Sequence, residues 1–180
     1  MTAVTTTGGT TTTGVDAPAT GVVWIHSTPS ALCPHIEWAL GGVLGVPTRL
    51  DWSPQPADRG SYRAELEWRG PAGTAATIAS SLQRWGRLRF EVTEHQPGTD
   101  EGVRYSVTPR LGVFHATIGR HGDVLVHEQR LRAALVADAL NRASLHRAVA
   151  DLLGLAWDEE LELFRQAGAD GPRWLERHLA

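Results

Sequence analysis

The run Cys33-Pro34-His35-Ile36-Glu37-Trp38 brings a thiol, an imidazole and a carboxylate into one short stretch. With Pro34 as the first helical residue, Cys33 falls at the helix N-cap, where free N–H groups and the helix dipole favour a thiolate. Nucleophilic or redox chemistry at Cys33, assisted by His35 or Glu37, is the enzymatic reading. Two considerations weigh against it. Residues two apart stand about 200° around a helix, so Cys33 and His35 form no ready dyad. Cys33 is also the sole cysteine, so no second thiol can resolve an oxidised sulfur. A packed, apolar cap is the plainer expectation, because free cysteine is among the most buried residue types.

Eight histidines raise the question of a metal. No two of them are four apart, and neither Cys-x-x-Cys nor His-Glu-x-x-His occurs. His115 and His127 fall on neighbouring expected strands. A hairpin pairing Gly119 with Gly122 sets His115 opposite Val126, which sends the two imidazoles to opposite faces. No metal site and no cofactor is expected. Gly-x-Ser-x-Gly, phosphate-loop and dinucleotide fingerprints are all missing from the sequence.

Every one of the seventeen basic residues is arginine. Arg84, Arg87 and Arg89, interleaved with Trp85 and Phe90, make one basic cluster; Arg130, Arg132, Arg142 and Arg147 mark a second. Arginine suits bidentate docking of carboxylates, so Arg84, Arg87, Arg89, Arg130 and Arg132 are the candidate contacts for an acidic protein partner. A solvated face explains the same residues. The net charge is −3 and no segment carries a strong basic excess, which disfavours generic nucleic-acid binding. Among the seven tryptophans, Trp52 and Trp174 are expected as exposed anchors and most of the rest as core.

These residues must be held by an ordered frame. The chain has 180 residues, enough for one domain with an appendage. Residues 1–20 hold nine threonines and almost no large apolar side chain, and read as a disordered tail. Val22 to Ile25 are apolar on both faces, as a central strand requires. A helix follows from Pro34 to about Gly45, buried through Ile36, Leu40, Val43 and Leu44, then a short strand over Thr48–Trp52. Tyr62, Ala64, Leu66 and Trp68 alternate with charged residues, giving a half-exposed strand. A helix over 74–85 and a second alternating strand, Leu88, Phe90 and Val92, come next.

That order, strand-helix-strand-strand-helix-strand, is a split βαβ, or ferredoxin-like, core in an α+β fold. Two strands with wet faces imply helical cover on one side only. Segments at 103–108, 111–118 and 123–127 extend the sheet as an antiparallel meander. The sheet domain thus spans 21–127, and a helical segment over 128–180 packs on it. It comprises one long helix from Glu128 to Leu153 stopped by Gly154, a second opened by Asp158, Glu159 and Glu160, and a last short one from Asp170 and Pro172. No apolar run reaches membrane-spanning length, no leader pattern opens the chain, and one cysteine suits a reducing compartment. A cytoplasmic location is expected.

At Cys33-Pro34-His35-Ile36-Glu37-Trp38-Ala39-Leu40, Leu88-Arg89-Phe90-Glu91-Val92-Thr93-Glu94 and Leu155-Ala156-Trp157-Asp158-Glu159, the chain resembles domain-of-unknown-function family 3145, an actinobacterial group. The resemblance covers residues 21–180 and leaves out the Thr-rich tail. It implies a cytoplasmic protein with an accessory role beside type II fatty-acid synthesis, which would make an acyl carrier protein the acidic partner. It assigns no catalytic residues.

Overall fold

The structure is a computed structural model that describes residues 18–167. The Thr-rich tail up to residue 17, the expected last helix and Trp174 lie outside the described residues. The fold is α+β, with a seven-stranded antiparallel sheet and five α-helices among the described residues. In chain order the strands are β1 (Ala19–Pro29), β2 (Ser53–Pro54), β3 (Ser61–Gly70), β4 (Arg89–His95), β5 (Glu101–Thr108), β6 (Gly112–Gly119) and β7 (Val124–Leu125). The helices are α1 (Cys33–Leu44), α2 (Thr74–Leu82), α3 (Glu128–Ala139), α4 (Leu145–Leu153) and α5 (Leu155–Gln166). Across the sheet the strands run β2-β3-β1-β4-β5-β6-β7. The central strand β1 therefore separates β3 from β4, the two strands that α2 connects, and the meander β5-β6-β7 continues outward from β4.

The alternation read from Ser61 to Arg69 places Ala64 and Trp68 in the core. With Val23, Ile25, Phe90, Val92 and Val107 they form one sheet face, covered by Ile36 and Leu40 of α1 and Ala75, Ile78 and Leu82 of α2. Glu94 ties α2 down: its carboxylate accepts the N–H groups of Gly73 and Ala75 at 2.8 Å each, where the helix dipole favours an anion.

Four expectations are corrected. Thr48–Trp52 is no strand; this segment crosses α1, and Leu50 N–H and the Trp52 indole N–H both donate to Glu37 Oε1. The strand is the two-residue β2, where Pro54 sits on an edge that tolerates its missing donor. The long helix divides at 140–144, where Asn141 takes a left-handed φ of 51°, so α3 and α4 are separate. The β6–β7 hairpin pairs Gly119 with Asp123, and Gly122 at φ 86° adds a third loop residue. Register is thereby shifted by one from the expected pairing, with Thr117 opposite Leu125, and His127 has left the strand to cap α3.

The fourth correction is the largest. Helical cover is not confined to one face. Glu91, between Phe90 and Val92, points to the opposite side of β4 and is nonetheless buried, because α5 lies there and its Arg165 meets Glu91. Of the alternating polar positions of β4 that read as wet, Glu91 is instead half of a buried ion pair and Arg89 is bound to Glu160.

Candidate functional site

On the α5 side of the sheet, polar side chains converge from four elements. Alternation along β1 puts His26, like Trp24, on the face opposite Ile25, at a bulge between Ile25 and Ser27, and its Nε2 lies 2.8 Å from Glu91 Oε2. The bulge also takes the His26 carbonyl off the ladder, and the buried amide of Gln55 donates to it at 2.7 Å. Glu91 further accepts Ser106 Oγ–H from β5 at 3.0 Å and both Nε–H and an NH2 group of Arg165 at 3.1 and 2.7 Å. Arg165 also reaches Asp158, which in turn lies 3.4 Å from Arg104 of β5. At the edge of this cluster Glu160 binds Arg89 and Arg110 at 3.2 Å each and accepts Thr108 Oγ1–H.

Electrostatics follow burial. Burial opposes charge on His26 and, against the Glu91 contact, holds its pKa below the ordinary value, so the ring is neutral near pH 7. Burial would raise the Glu91 pKa, but the hydrogen bond from His26 and the neighbouring Arg165 charge outweigh it and keep the carboxylate ionised. Arg165, opposed by burial but bound by Glu91 and Asp158, is held above its ordinary value. The carboxylates and guanidinium groups here bind one another. Such an arrangement fixes α5 to the sheet and leaves no carboxylate poised as a free base.

Beside the cluster this face opens into a cavity of about 540 Å³, lined among others by Thr20, Val22, Trp68, Thr93, Arg104 and Ile118. Gly21 shapes its floor. The β1–β4 register pairs Thr20 with His95 and then Val23 with Val92, and between them Val22 N–H donates to Thr93 Oγ1 at 3.2 Å. A side chain at Gly21 would collide with the Thr93 carbonyl and the Trp68 ring.

The candidates named from the sequence lie elsewhere. Cys33 is not the N-cap; the helix begins at Cys33 after a turn of 3-10 helix, with Leu32 capping. Burial, with Glu37 adding to it, pushes the Cys33 thiol above its usual pKa. The His35 ring sits 6.5 Å from Trp85, and Glu37 is occupied by Leu50, Trp52 and Arg49. Glu37, one turn along α1 from Cys33, acts on its thiol, while the His35 ring is set against Trp85. Of the arginines, Arg84, Arg87 and Arg130 are exposed and form no ion pair with a described residue, and Arg132 pairs with Glu128 one turn away. Arg89 is turned inward, bound to Glu160 with its guanidinium 4.7 Å over the Phe164 ring. Trp52 is half-buried, whereas Trp38 is 80% exposed, a position its sequence context had not marked. No group of three potential metal ligands occurs among the described residues.

Sequence reasoning missed Glu91, Arg165, His26 and Arg104. The available signal is in α5, where Asp158, Leu161 and Arg165 share one helical stripe, so charges continue a buried apolar row.

The profile of one protein family, DUF3145, a protein of unknown function, matches residues 22–177. The chain belongs to that family. No curated protein and no solved structure matches it. The DUF3145 span contains the whole ion cluster and, apart from Thr20 and Gly21, the cavity lining named above.

Proposed function

We propose that this DUF3145 protein is a non-enzymatic, cytoplasmic binding protein whose α3–α4 arm docks an acidic protein. The observation that carries the reading is the surface of that arm. Leu131, Leu135, Val136 and Leu140 are 39 to 58% exposed, in two short rows with four-residue spacing. Arg130, Arg142 and Arg147 are exposed beside them and form no ion pair with a described residue. Isolated exposed leucines are ordinary, but four large apolar side chains within ten residues, flanked by unpaired arginine, have the composition of an interface. Arg84 and Arg87 offer a second basic contact, and Arg132 a partly neutralised one.

The raised Cys33 thiol and the mutually bound carboxylates support binding over chemistry. Within this reading an acyl carrier protein is the specific acidic partner, in keeping with an accessory role in type II fatty-acid synthesis. The test is a fluorescence-anisotropy titration of a labelled acyl carrier protein with the full chain. Saturable binding that weakens with added salt, and falls at least tenfold in Arg130→Glu/Arg147→Glu, is expected. Absence of binding by a folded wild type, or equal binding by the double variant, would refute the proposal.

A further inference from the structure

The helical layer formed by α1 and α2 presents an outer surface almost without charge. Across residues 30–50 and 70–90 the one acidic residue is Glu37, whose carboxylate is taken up by Leu50, Trp52 and Arg49. Residues 71–82, which include all of α2, hold no charged side chain. On α2 the exposed residues include Ala76, Thr77 and Ser80; on α1 they include Trp38, 80% exposed, and Gly42, with Val46 exposed just past the helix end. Gly42, one turn from Trp38, borders open space, since a Cβ there would meet nothing within 4 Å. Cations border this surface. The Arg49 side chain is 93% exposed and lies 3.6 Å from Glu37, the residue before Trp38. Exposed Arg84 and Arg87 flank Trp85, whose ring is 6.5 Å from that of His35, itself exposed one turn before Trp38. Asp51, two residues past Arg49, is exposed and is outnumbered by the three arginines.

We propose that the α1–α2 layer docks on the surface of an anionic lipid bilayer, with the Trp38 ring at headgroup level and Arg49, Arg84 and Arg87 on lipid phosphates. Three features select that partner. Tryptophan favours the membrane–water interface, where its ring is apolar and its N–H stays wet. A surface without charges approaches the bilayer without desolvating any. Arginines at its border are drawn to an anionic leaflet, an attraction that salt screens. A second copy fits less well, because a border of one sign would meet its own sign. A stable protein interface buries about 800 Å² per partner, more than half of it apolar. Trp38 and Val46, the two large apolar side chains exposed on this layer, fall well short of that. This face shares Arg84 and Arg87 with the docking proposed above but is separate from the α3–α4 arm and does not depend on it.

The experiment is cosedimentation of the full chain with vesicles of phosphatidylcholine and phosphatidylglycerol in equal parts, and with vesicles of phosphatidylcholine alone. Binding to the anionic vesicles at least tenfold tighter than to the neutral ones, and weakened by added salt, is expected. Trp38→Ala should weaken it tenfold or more; Trp38 lies outside the core, so that variant should keep the wild-type urea midpoint. Arg84→Gln/Arg87→Gln should weaken binding and lessen its salt dependence. Arg130→Glu/Arg147→Glu should bind vesicles nearly as well as the wild type, which separates this face from the arm. Failure of a folded wild type to sediment with anionic vesicles, equal binding to neutral ones, or undiminished binding by Trp38→Ala would overturn the proposal. Loss of acyl carrier protein affinity in Trp38→Ala would assign the face to an acidic protein instead and overturn it as well.

Discussion

Glu91 accepts from His26, Ser106 and Arg165 together, so its charge holds groups from β1, β5 and α5 in one place. Glu91→Gln would leave the Arg165 guanidinium buried with a weakened counter-charge. Breaking a buried pair from one side costs about 3–5 kcal/mol, and urea unfolding should show a loss of that order. His26 adds a pH dependence of definite sign. Its pKa is lowered on folding, so the unfolded chain binds the proton more readily. Stability is complete above the ordinary histidine value of 6.5 and drains as pH falls below it. Glu91, also depressed, adds its loss only further down, below its ordinary 4.5. Urea midpoints at pH 7.5 and 5.5 should therefore differ, and His26→Gln should flatten that difference. Cys33 carries the opposite expectation: with its thiol raised by burial, iodoacetamide should react with it more slowly at pH 7.5 than with a free thiol.

The junction between α4 and α5 rests on Gly154, at φ 74° and directly against the Phe114 ring. Gly154→Ala places a side chain in left-handed backbone and into that ring, so a cost above about 1 kcal/mol is expected. Trp157, whose ring is 5.3 Å from Phe114, should report the shift by fluorescence as well as by urea midpoint. Gly154 as a stop was legible because glycine after a helical apolar pattern is a strong local signal. The β3 alternation was legible for a similar reason, since a period of two survives any tertiary context. The division at Asn141 was not, because nothing in the apolar spacing of 131–153 marks a left-handed residue. β2 was misplaced because Glu37, thirteen residues from Leu50, supplies the hydrogen bonds a strand would have made.

At the scale of the whole molecule, the misleading signal was Glu91 itself. A charged residue at an alternating position is solvated in most strands, and its burial here depends on Arg165, seventy-four residues later in the chain. Pairing across that separation leaves no periodic trace, so two-sided cover and the ion cluster were both hidden. The same logic hid the cavity, whose lining comes from β1, β3, β4, β5 and β6, far apart in the chain. α3 and α4 differ from α5 in kind. α3 and its C-cap carry the exposed apolar rows, α3 and α4 carry exposed arginine, and this is the surface proposed above to dock a partner. Hydrogen–deuterium exchange of the full chain, alone and saturated with an acyl carrier protein, tests this most directly. Added protection across 128–153 with β4 and α5 unchanged is expected; unaltered exchange over 128–153, or protection centred on Cys33–Leu44, would refute docking on that arm.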